Sequence, residues 1–388
     1  MRKLLPAFTL LALFTTFVSA ADKKDAKTAD QADKKDAKNA DAAKEKEAPT
    51  LKVGDAPPPL KVSKWLQGSA VRAFDPGKTY VVEFWATWCG PCIMMMPHIA
   101  ELQAEYRDKG VTIIGYSAKD PRNTAEKVAE FVAKRGPKLG YTFAYGDNRD
   151  TYEAWMAAAH QNGIPCSFVI DPKGKIAYIG HPLFLGIVLP RVVDGSWNPE
   201  HGAIEMAAAE KDLDAVFGKL GDANAETGLK AINEFEQKRP ELAKLPFFVG
   251  PKIMLLIKSK KTDEAKTLAD AVLAKALDQE DTGSLRTVAS IGQFPGAKDH
   301  KALIDDSLQA SDALLKISGD KDLGALFTGL QANFAAGNKA KAKELAQKTR
   351  AAAAELPKPV QAQIDRLLEK FEDKKDAGAK QETPKQEK

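Results

Sequence analysis

Cysteine is scarce in this sequence. Its 388 residues include three cysteines, Cys89, Cys92 and Cys166. A domain held together by disulfides needs an even and much denser set, so a disulfide scaffold is excluded. A zinc site at Cys89 and Cys92 would need two further Cys or His ligands at metal spacing, and Cys166 is isolated. The sequence therefore offers one closely spaced pair of thiols and one odd thiol.

Excess charge and long apolar runs are also nearly absent. The 57 basic and 53 acidic residues leave a net charge of +4, which indicates no nucleic-acid partner. The apolar residues 4–18 are too few for a typical membrane span. They follow Arg2 and Lys3 and end at the small residues 18–20, so we expect residues 1–20 to be a cleaved signal peptide. The mature chain is then expected to be periplasmic, with no stable membrane span.

Two segments near the ends of the chain are low in complexity. Residues 21–50 are rich in Lys, Asp, Glu and Ala, and the run Asp-Lys-Lys-Asp-Ala at residues 22–26 recurs at residues 373–377. Such segments have too little apolar surface to offset the entropy that is lost on ordering. We expect residues 21–50 to be a disordered linker and residues 372–388 to be a disordered tail.

The cysteine pair lies between a predicted strand and a predicted helix. Residues 80–85 are rich in β-forming side chains, and residues 93–109 read as a helix. Two cysteines with this spacing can close a disulfide and open it again. The free N–H groups and the positive dipole end of a helix start stabilise a thiolate. Cys89 is therefore the predicted nucleophile and the exposed thiol, and Cys92, one turn further in, is the predicted resolving thiol.

The surroundings of this motif resemble those of the thioredoxin superfamily. Glu83 stands where thioredoxins have a buried acid, and Pro97 matches the proline that kinks their active-site helix. Residues 163–165, Gly-Ile-Pro, match the segment that contains their cis-proline. Residues 53–58 and 168–175 make the chain most similar to the exported TlpA/ResA-type disulfide reductases, often called redoxins.

The resemblance, which covers about residues 52–197, implies a role for each matching residue. Glu83 would relay a proton to the resolving cysteine, and Trp88 would border the substrate groove. The Ile164–Pro165 bond would be cis and face Cys89, which leaves the Ile164 backbone able to pair with an extended substrate. The implied catalytic residues are Cys89, Cys92, Glu83 and Pro165. The implied substrate-binding residues are Trp88, Gly90, Pro91 and Ile164.

The predicted elements and the resemblance give one fold class for the first half. A buried strand at residues 111–116 and a hairpin at residues 167–179 accompany the strand before the cysteines. We expect residues 51–198 to form a thioredoxin-like α/β fold, a mixed central sheet flanked by helices. An early strand is predicted at residues 60–62, and Asn123 resembles the first residue of a helix capping box.

Strand signals vanish after residue 198. Helical spacing of apolar residues predicts an all-α domain for residues 199–371. The pattern of small residues at positions 265–269 recurs at positions 342–346, each time after a polar turn. This recurrence is typical of helical hairpins of the tetratricopeptide kind, and a single irregular bundle is an equal alternative.

Other reactive side chains have simpler explanations. His98 and His181 could suggest a copper carrier of this fold, but such a carrier needs Cys-x-x-x-Cys spacing and this chain has Cys-x-x-Cys. His181 is therefore expected to be a loop residue that packs on the hairpin. Consecutive residues Met94–Met96 point in different directions on a helix, which favours core filling and an exposed contact rim over a soft-metal site. Cys166 stands where threonine is usual; we expect it to be buried and to stay reduced, and a third redox thiol is the alternative. For Glu83 the alternative is an acid that is satisfied by polar neighbours.

These features predict a thiol–disulfide oxidoreductase of the bacterial cell envelope that acts on protein disulfides. The Gly-Pro dipeptide between the cysteines is that of reducing thioredoxins and favours a reductase. An exported dithiol needs an envelope electron donor as partner, and neither a cofactor nor a metal is predicted. The alternative is an interaction protein whose helical domain recruits a partner, with the redox domain regulatory. A peroxidase is not indicated, because no cysteine has the preceding Thr and Pro of a peroxidatic site.

Overall fold

The computed structural model describes residues 50–221 and 224–371. The predicted signal peptide, nearly all of the predicted linker and the predicted tail lie outside these ranges. The chain divides into two compact units, the first ending at Gly218 and the second beginning at Lys219. This division falls inside a helix, whereas the sequence placed the domain boundary at residue 198, just before that helix.

The first unit is built around a six-stranded mixed sheet. Its strands are β1 (Lys64–Gln67), β2 (Thr79–Trp85), β3 (Val111–Ala118), β4 (Thr142–Gly146), β5 (Cys166–Ile170) and β6 (Ile176–Gly180). The order across the sheet is β1-β4-β3-β2-β5-β6. Strands β2, β3 and β4 are parallel, and β1, β5 and β6 pair antiparallel to their neighbours. The carboxyl ends of β2 and β3 and the amino end of β5 therefore lie at the same end of the sheet.

Helices flank this sheet, which confirms the predicted fold class. The helices that begin in the first unit are α1 (Gly90–Tyr106), α2 (Ala125–Leu139), α3 (Asp150–Tyr152), α4 (Leu185–Asp194) and α5 (Pro199–Leu220). A π-helical turn, Glu153–Ala157, follows α3. Pro97 lies inside α1, as the resemblance implied.

Strand β2 is the centre of the core, and all of its residues are buried. Successive side chains of a strand point to opposite faces of the sheet. Tyr80, Val82 and Phe84 belong to an apolar cluster that also contains Trp155. Glu83 lies between Val82 and Phe84 in the chain and so points to the opposite face. Strand β2 therefore carries one buried carboxyl group, that of Glu83, among mostly apolar side chains.

The first strand lies later than the sequence predicted. Leu60 and Val62 pack against the core as partly buried residues and are not in a strand. Pairing with β4 begins at Ser63, whose N–H donates to the Tyr145 carbonyl at 2.8 Å. Leu60 and Val62 are therefore apolar because they pack against the sheet, although they do not belong to one of its strands.

The N-cap of helix α2 lies one residue later than predicted. Thr124 is its N-cap, and the Thr124 hydroxyl accepts a hydrogen bond from the Lys127 N–H at 3.4 Å. The prediction that Asn123 caps this helix was wrong, because the Asn123 side chain contacts Thr87 instead. The correction matters for the site, since Thr87 lies two residues before Cys89.

The described part of the second unit is helical, as predicted. Its helices are α6 (Ala225–Lys238), α7 (Pro240–Ala243), α8 (Val249–Lys258), α9 (Thr262–Gln279), α10 (Thr282–Ala289), α11 (Lys301–Ser318), α12 (Leu323–Ala335), α13 (Lys339–Ala353) and α14 (Lys358–Leu368). Successive helices pack in pairs, α8 with α9, α10 with α11, and α12 with α13. The recurring small residues Ala265, Ala269, Ala342 and Ala346 are all buried, in α9 and α13. Within the described ranges, no helix combines the length and the apolar character that crossing a membrane requires.

Candidate active site

A disulfide bond joins Cys89 and Cys92 where β2 leads into α1. Cys89 is the N-cap of α1, and its Sγ accepts a hydrogen bond from the Cys92 backbone N–H at 3.2 Å. After reduction, an N–H group at a helix start that points at this sulfur favours negative charge on it. The position that the sequence predicted for Cys89 is confirmed, and the geometry supports its prediction as the attacking thiol.

The prediction that Cys89 is exposed is wrong for this oxidised form. Cys89 is 4% exposed and Cys92 is 0% exposed. The Cys89 Sγ lies 3.8 Å from the Ile164 carbonyl oxygen, so the loop before β5 covers the sulfur. Local sequence could not show this, because the covering loop is distant in the chain. The residues on either side of Cys89 in the chain, Trp88 and Gly90, are exposed.

The Ile164–Pro165 peptide bond is cis, as the resemblance implied. Pro165 is buried and Ile164 is partly exposed. Apart from the contact with Cys89, the backbone N–H and carbonyl of Ile164 make no hydrogen bond to another described residue. These two groups can therefore pair with an added strand.

Glu83 is fully buried in β2, with Gly115 and Ser167 directly opposite it in the neighbouring strands. Neither of its carboxylate oxygens has a hydrogen-bond partner among the described residues. Burial disfavours the charged form and raises the pKa of Glu83 to about 8. The raised pKa that we predicted is confirmed, and the unpaired oxygens contradict the alternative of an acid satisfied by polar neighbours.

Two hydroxyl groups share the buried surroundings of Glu83. The hydroxyls of Ser167 in β5 and Tyr141, which directly precedes β4, have no partner within the described ranges. Burial, and after it the charge on Glu83, raises the pKa of Tyr141. Neither hydroxyl hydrogen-bonds to the carboxylate, so Glu83 is stabilised by holding a proton and not by a partner.

Cys166 opens β5 and lies opposite Phe84 in β2. It is a free, buried thiol in the apolar cluster that contains Trp155. Its Sγ lies 3.9 Å from the Gln161 Oε1. Burial, and after it the charge on Glu83, raises the pKa of Cys166 to about 12. A thiol that ionises so reluctantly is a poor nucleophile, which favours the prediction that Cys166 stays reduced.

The other candidates from the sequence, His181 and the methionines of α1, have contacts that are typical of structural roles. The His181 Nδ1 accepts a hydrogen bond from the Leu183 N–H at 3.1 Å, and burial lowers the pKa of His181 to about 4. Met95 and Met96 are fully buried, in agreement with core filling. In the part of the chain that the structure describes, no group of three or more His, Cys, Asp or Glu side chains is placed to hold a metal ion.

Sequence reasoning missed a buried amide that holds the segment before Cys89. The Asn123 Oδ1 accepts hydrogen bonds from both the N–H and the hydroxyl of Thr87, each at 2.9 Å. Its Nδ2 donates to the Ser117 hydroxyl and the Ala118 carbonyl, each at 2.8 Å. Asn123 is 0% exposed, so its amide makes these four bonds at a buried or half-buried place. Through this side chain, the loop after β3 fixes the loop after β2.

A second set of missed contacts surrounds Trp88. Its Nε1–H donates to the Asp120 Oδ2 at 2.9 Å, and the Arg122 Cζ lies 4.4 Å from the centroid of its ring. Isolated charged residues in a loop have no periodic signature, so nothing in the sequence singled out Asp120 or Arg122. The structure thus adds a charged rim beside the predicted substrate-binding residue Trp88.

Several known proteins are similar to part of this chain. A Redoxin family model matches residues 47–183. Protein FixW of Rhizobium leguminosarum is 34% identical over 155 residues, which cover 39% of this chain and 70% of FixW. The thiol-disulfide oxidoreductase ResA of Geobacillus thermodenitrificans is 33% identical over 128 residues, which cover 33% of this chain and 68% of ResA. The chain belongs to the redoxin family of the thioredoxin superfamily. It is a TlpA/ResA-like redoxin, as the sequence motifs predicted.

The match to this redoxin family lies within the first unit, so it carries no information about helices α6–α14. Among solved structures, the thioredoxin domain of a thiol-disulfide oxidoreductase from Bacteroides vulgatus is 25% identical. The match covers 33% of this chain and 86% of that chain, with a TM-score of 0.28.

The buried Glu83 predicts a specific dependence of stability on pH. Its folded-state pKa of about 8 lies above the ordinary value of 4.5, so the folded state loses stability as the pH rises from about 4.5 to about 8. Glu83→Gln cannot ionise, so the variant should gain about 1.4 kcal/mol relative to the natural protein per pH unit in that window. Denaturant unfolding of the oxidised proteins between pH 5 and 9 measures this difference. The exposed Glu130→Gln on α2 is the control, and a difference that does not change with pH would contradict the raised pKa.

The Asn123–Thr87 contact predicts an energetic coupling. Asn123→Ala removes the partner of two half-buried donors of Thr87 and should lower the free energy of unfolding by about 2 kcal/mol. Thr87→Val removes one of these donors without a change of shape, and in a double-mutant cycle the pair should couple by about 1 kcal/mol. Asn162→Ala, at an exposed position, should change stability little. Additive effects of the two substitutions would show that the contact does not hold the loop.

Proposed function

We propose that this thiol–disulfide oxidoreductase reduces disulfide bonds in exported proteins of a bacterial cell envelope. The observation that carries the proposal is the Cys89–Cys92 disulfide at the start of α1, with the Cys92 N–H directed at the Cys89 sulfur. This arrangement makes one cysteine a better thiolate than the other, which ordered thiol–disulfide exchange requires. Membership of the redoxin family supports the type of reaction.

The proposed reaction transfers two electrons from the dithiol to the substrate. The Cys89 thiolate attacks one sulfur of the substrate disulfide, a mixed disulfide forms, and the displaced substrate thiolate takes up a proton from water. Cys92 then gives up its proton and attacks the Cys89 Sγ. The Cys89–Cys92 disulfide forms, and the second substrate sulfur leaves and is protonated. An envelope electron donor must return the oxidised protein to the dithiol before another cycle.

Glu83 is the proposed acceptor of the Cys92 proton. With a pKa of about 8, both its ionised and its protonated forms are populated near neutral pH, as a group that gains and loses protons in each cycle requires. Its ionised form lacks any hydrogen-bond partner among the described residues, so taking up a proton relieves an unfavourable buried charge.

A substrate segment is proposed to dock across the exposed side of the disulfide. The Ile164 backbone offers a donor and an acceptor for an extended chain, next to the Cys89 sulfur. Gly90 is exposed and has no atom within 4 Å of the place where a Cβ would lie, so backbone can approach there. Pro91 and Trp88 are the other residues proposed to contact the substrate segment.

The reductase direction and the envelope location rest on sequence features. The Gly-Pro dipeptide between the cysteines is the one found in reducing thioredoxins, and residues 1–20 have the pattern of a signal peptide. A reductase in an oxidising compartment needs a dedicated electron donor, because the surroundings would otherwise keep its dithiol oxidised.

A second candidate function is that of an interaction protein whose helical unit recruits a partner. The observation in its favour is that the second unit consists of packed helix pairs and contains none of the three cysteines. On this hypothesis the redox state of the first unit regulates binding, and Cys89→Ser should abolish the dependence of partner binding on redox state while a partner is still bound in one fixed state.

Substitution of single cysteines tests the proposed reaction. Cys92→Ser should accumulate a mixed disulfide between Cys89 and a substrate protein, because the resolving thiol is missing. Cys89→Ser should accumulate none. Mass spectrometry of the trapped species, formed between the pre-reduced chain and a disulfide-bonded model protein, identifies the linked cysteine. Cys166→Thr is the matched control for loss of a thiol and should turn over nearly as fast as the natural chain; equal trapping at both positions would exclude the assigned order.

Glu83→Gln should slow release of the mixed disulfide and spare its formation. A positioned general base contributes at least about a hundredfold to proton transfer, so decay of the mixed disulfide should slow by about that factor. In the natural chain this decay should speed up with an inflection near pH 8, and the variant should lack the inflection. Rapid acid quench followed by thiol alkylation separates the two steps. Slower formation with unchanged decay would exclude Glu83 as the acceptor.

A further inference from the structure

Arg122 and Trp88 form a stacked pair at the mouth of the site. Trp88 directly precedes Cys89 and is 43% exposed. The guanidinium of Arg122 lies over its ring, with the Cζ 4.4 Å from the centroid, which is within the range of a cation–π interaction. A positive group therefore lies over the residue that precedes the proposed nucleophile Cys89.

Asp120 contacts both members of this pair and forms no ion pair with the guanidinium among the described residues. Its Oδ2 accepts a hydrogen bond from the Trp88 Nε1–H at 2.9 Å, and its Oδ1 accepts one from the Arg122 backbone N–H at 2.7 Å. Each carboxylate oxygen thus accepts a hydrogen bond from a group other than the guanidinium, and among the described residues none of these bonds comes from the guanidinium itself. The ring is held by its edge and the arginine by its backbone, so the stacked geometry exists before any substrate arrives.

The guanidinium keeps its own donors available. Arg122 is exposed, and in the part of the chain that the structure describes its side chain forms no hydrogen bond or ion pair. The neighbouring charges are of both signs. Lys127 donates to the Arg122 carbonyl at 3.3 Å, and Lys119 is exposed at the start of the same loop. The other nearby carboxylate, Glu126, has a lowered pKa because it bonds to its own N–H and to the Thr124 hydroxyl.

We propose that Arg122 is a specificity-determining residue that binds the carboxylate of an Asp or Glu beside the disulfide in the substrate polypeptide. The proposal rests on the proposed function, and it adds a substrate class to it: disulfides with an acidic flank. A guanidinium offers two parallel N–H donors to a carboxylate, and stacking on Trp88 fixes the plane in which they are offered. A substrate chain that passes over Trp88 towards Cys89 brings its flanking side chains to this point.

Single-turnover oxidation of the pre-reduced chain tests the proposal directly. The probes are three peptides with an internal disulfide that differ in one residue next to the cysteine, Glu, Gln or Lys. The natural chain should be oxidised by the Glu peptide about five times faster than by the Gln peptide, which is the range of an exposed ion pair. This ratio should fall at high salt, because the pair is exposed.

Variants assign the preference to the guanidinium. In Arg122→Gln the Glu-to-Gln ratio should fall to about one, and in Arg122→Glu the Lys peptide should become the fastest. Lys109→Gln is the matched control. Lys109 also lies over an aromatic ring, that of Tyr106, at the other end of β3, so the variant removes the same charge from an equivalent contact far from Trp88. It should keep the full ratio.

The outcomes separate this inference from the proposed function. Equal rates for the Glu and Gln peptides in the natural chain would overturn the inference and leave the reductase intact. Loss of the ratio in Lys109→Gln would also overturn it, since a general field would then explain the preference. If the reduced chain is oxidised neither by these peptides nor by the uncharged bis(2-hydroxyethyl) disulfide, the proposed function itself fails.

Discussion

The site depends on the backbone pairing of β2 with β3 and β5. Because β3 is parallel and β5 antiparallel to β2, the segments after β2 and β3 and the segment before β5 meet at one end of the sheet. They contribute Cys89, Asn123 and Ile164, which are far apart in the chain. A shift of one residue in this register would turn Glu83 to the opposite face, so the ladder sets both the dithiol loop and the buried acid.

The buried carboxyl group of Glu83 links the two kinds of thiol in the first unit. Its ionised form is unfavourable where it lies, so it is suited to accept a proton from a thiol in the same interior. The same charge opposes ionisation of Cys166 in the neighbouring strand. Burial is the larger cause of the raised pKa of Cys166, and an ionised Glu83 adds to it. The same buried acid thus bears both on the proposed exchange at Cys89 and Cys92 and on the ionisation of Cys166.

The parts of the fold that the sequence predicted correctly have strong local signals. The runs that became β2 and β3 are β-branched and apolar because both faces of these strands are covered, and the hairpin of β5 and β6 has a clear turn. The helix start at Cys89 also follows from local pattern. The burial of Cys89 does not, because the covering carbonyl of Ile164 comes from a segment 75 residues away. The alternation at Leu60 and Val62 likewise records burial on a sheet that those residues do not join.

The loop after β3 shows why the rest of the site was not predictable. A local rule gave Asn123 a helix-capping role, and Thr124 takes that role because the fold brings Thr87 within reach of the Asn123 amide. Satisfying several buried groups with one amide outweighs a single exposed cap bond. Arg122 carried no signal at all, since its contact with Trp88 exists only once β2 and β3 are paired. The contacts of Asn123 and Arg122 therefore depend on which strands are neighbours in the sheet. They could not be predicted before the fold was known.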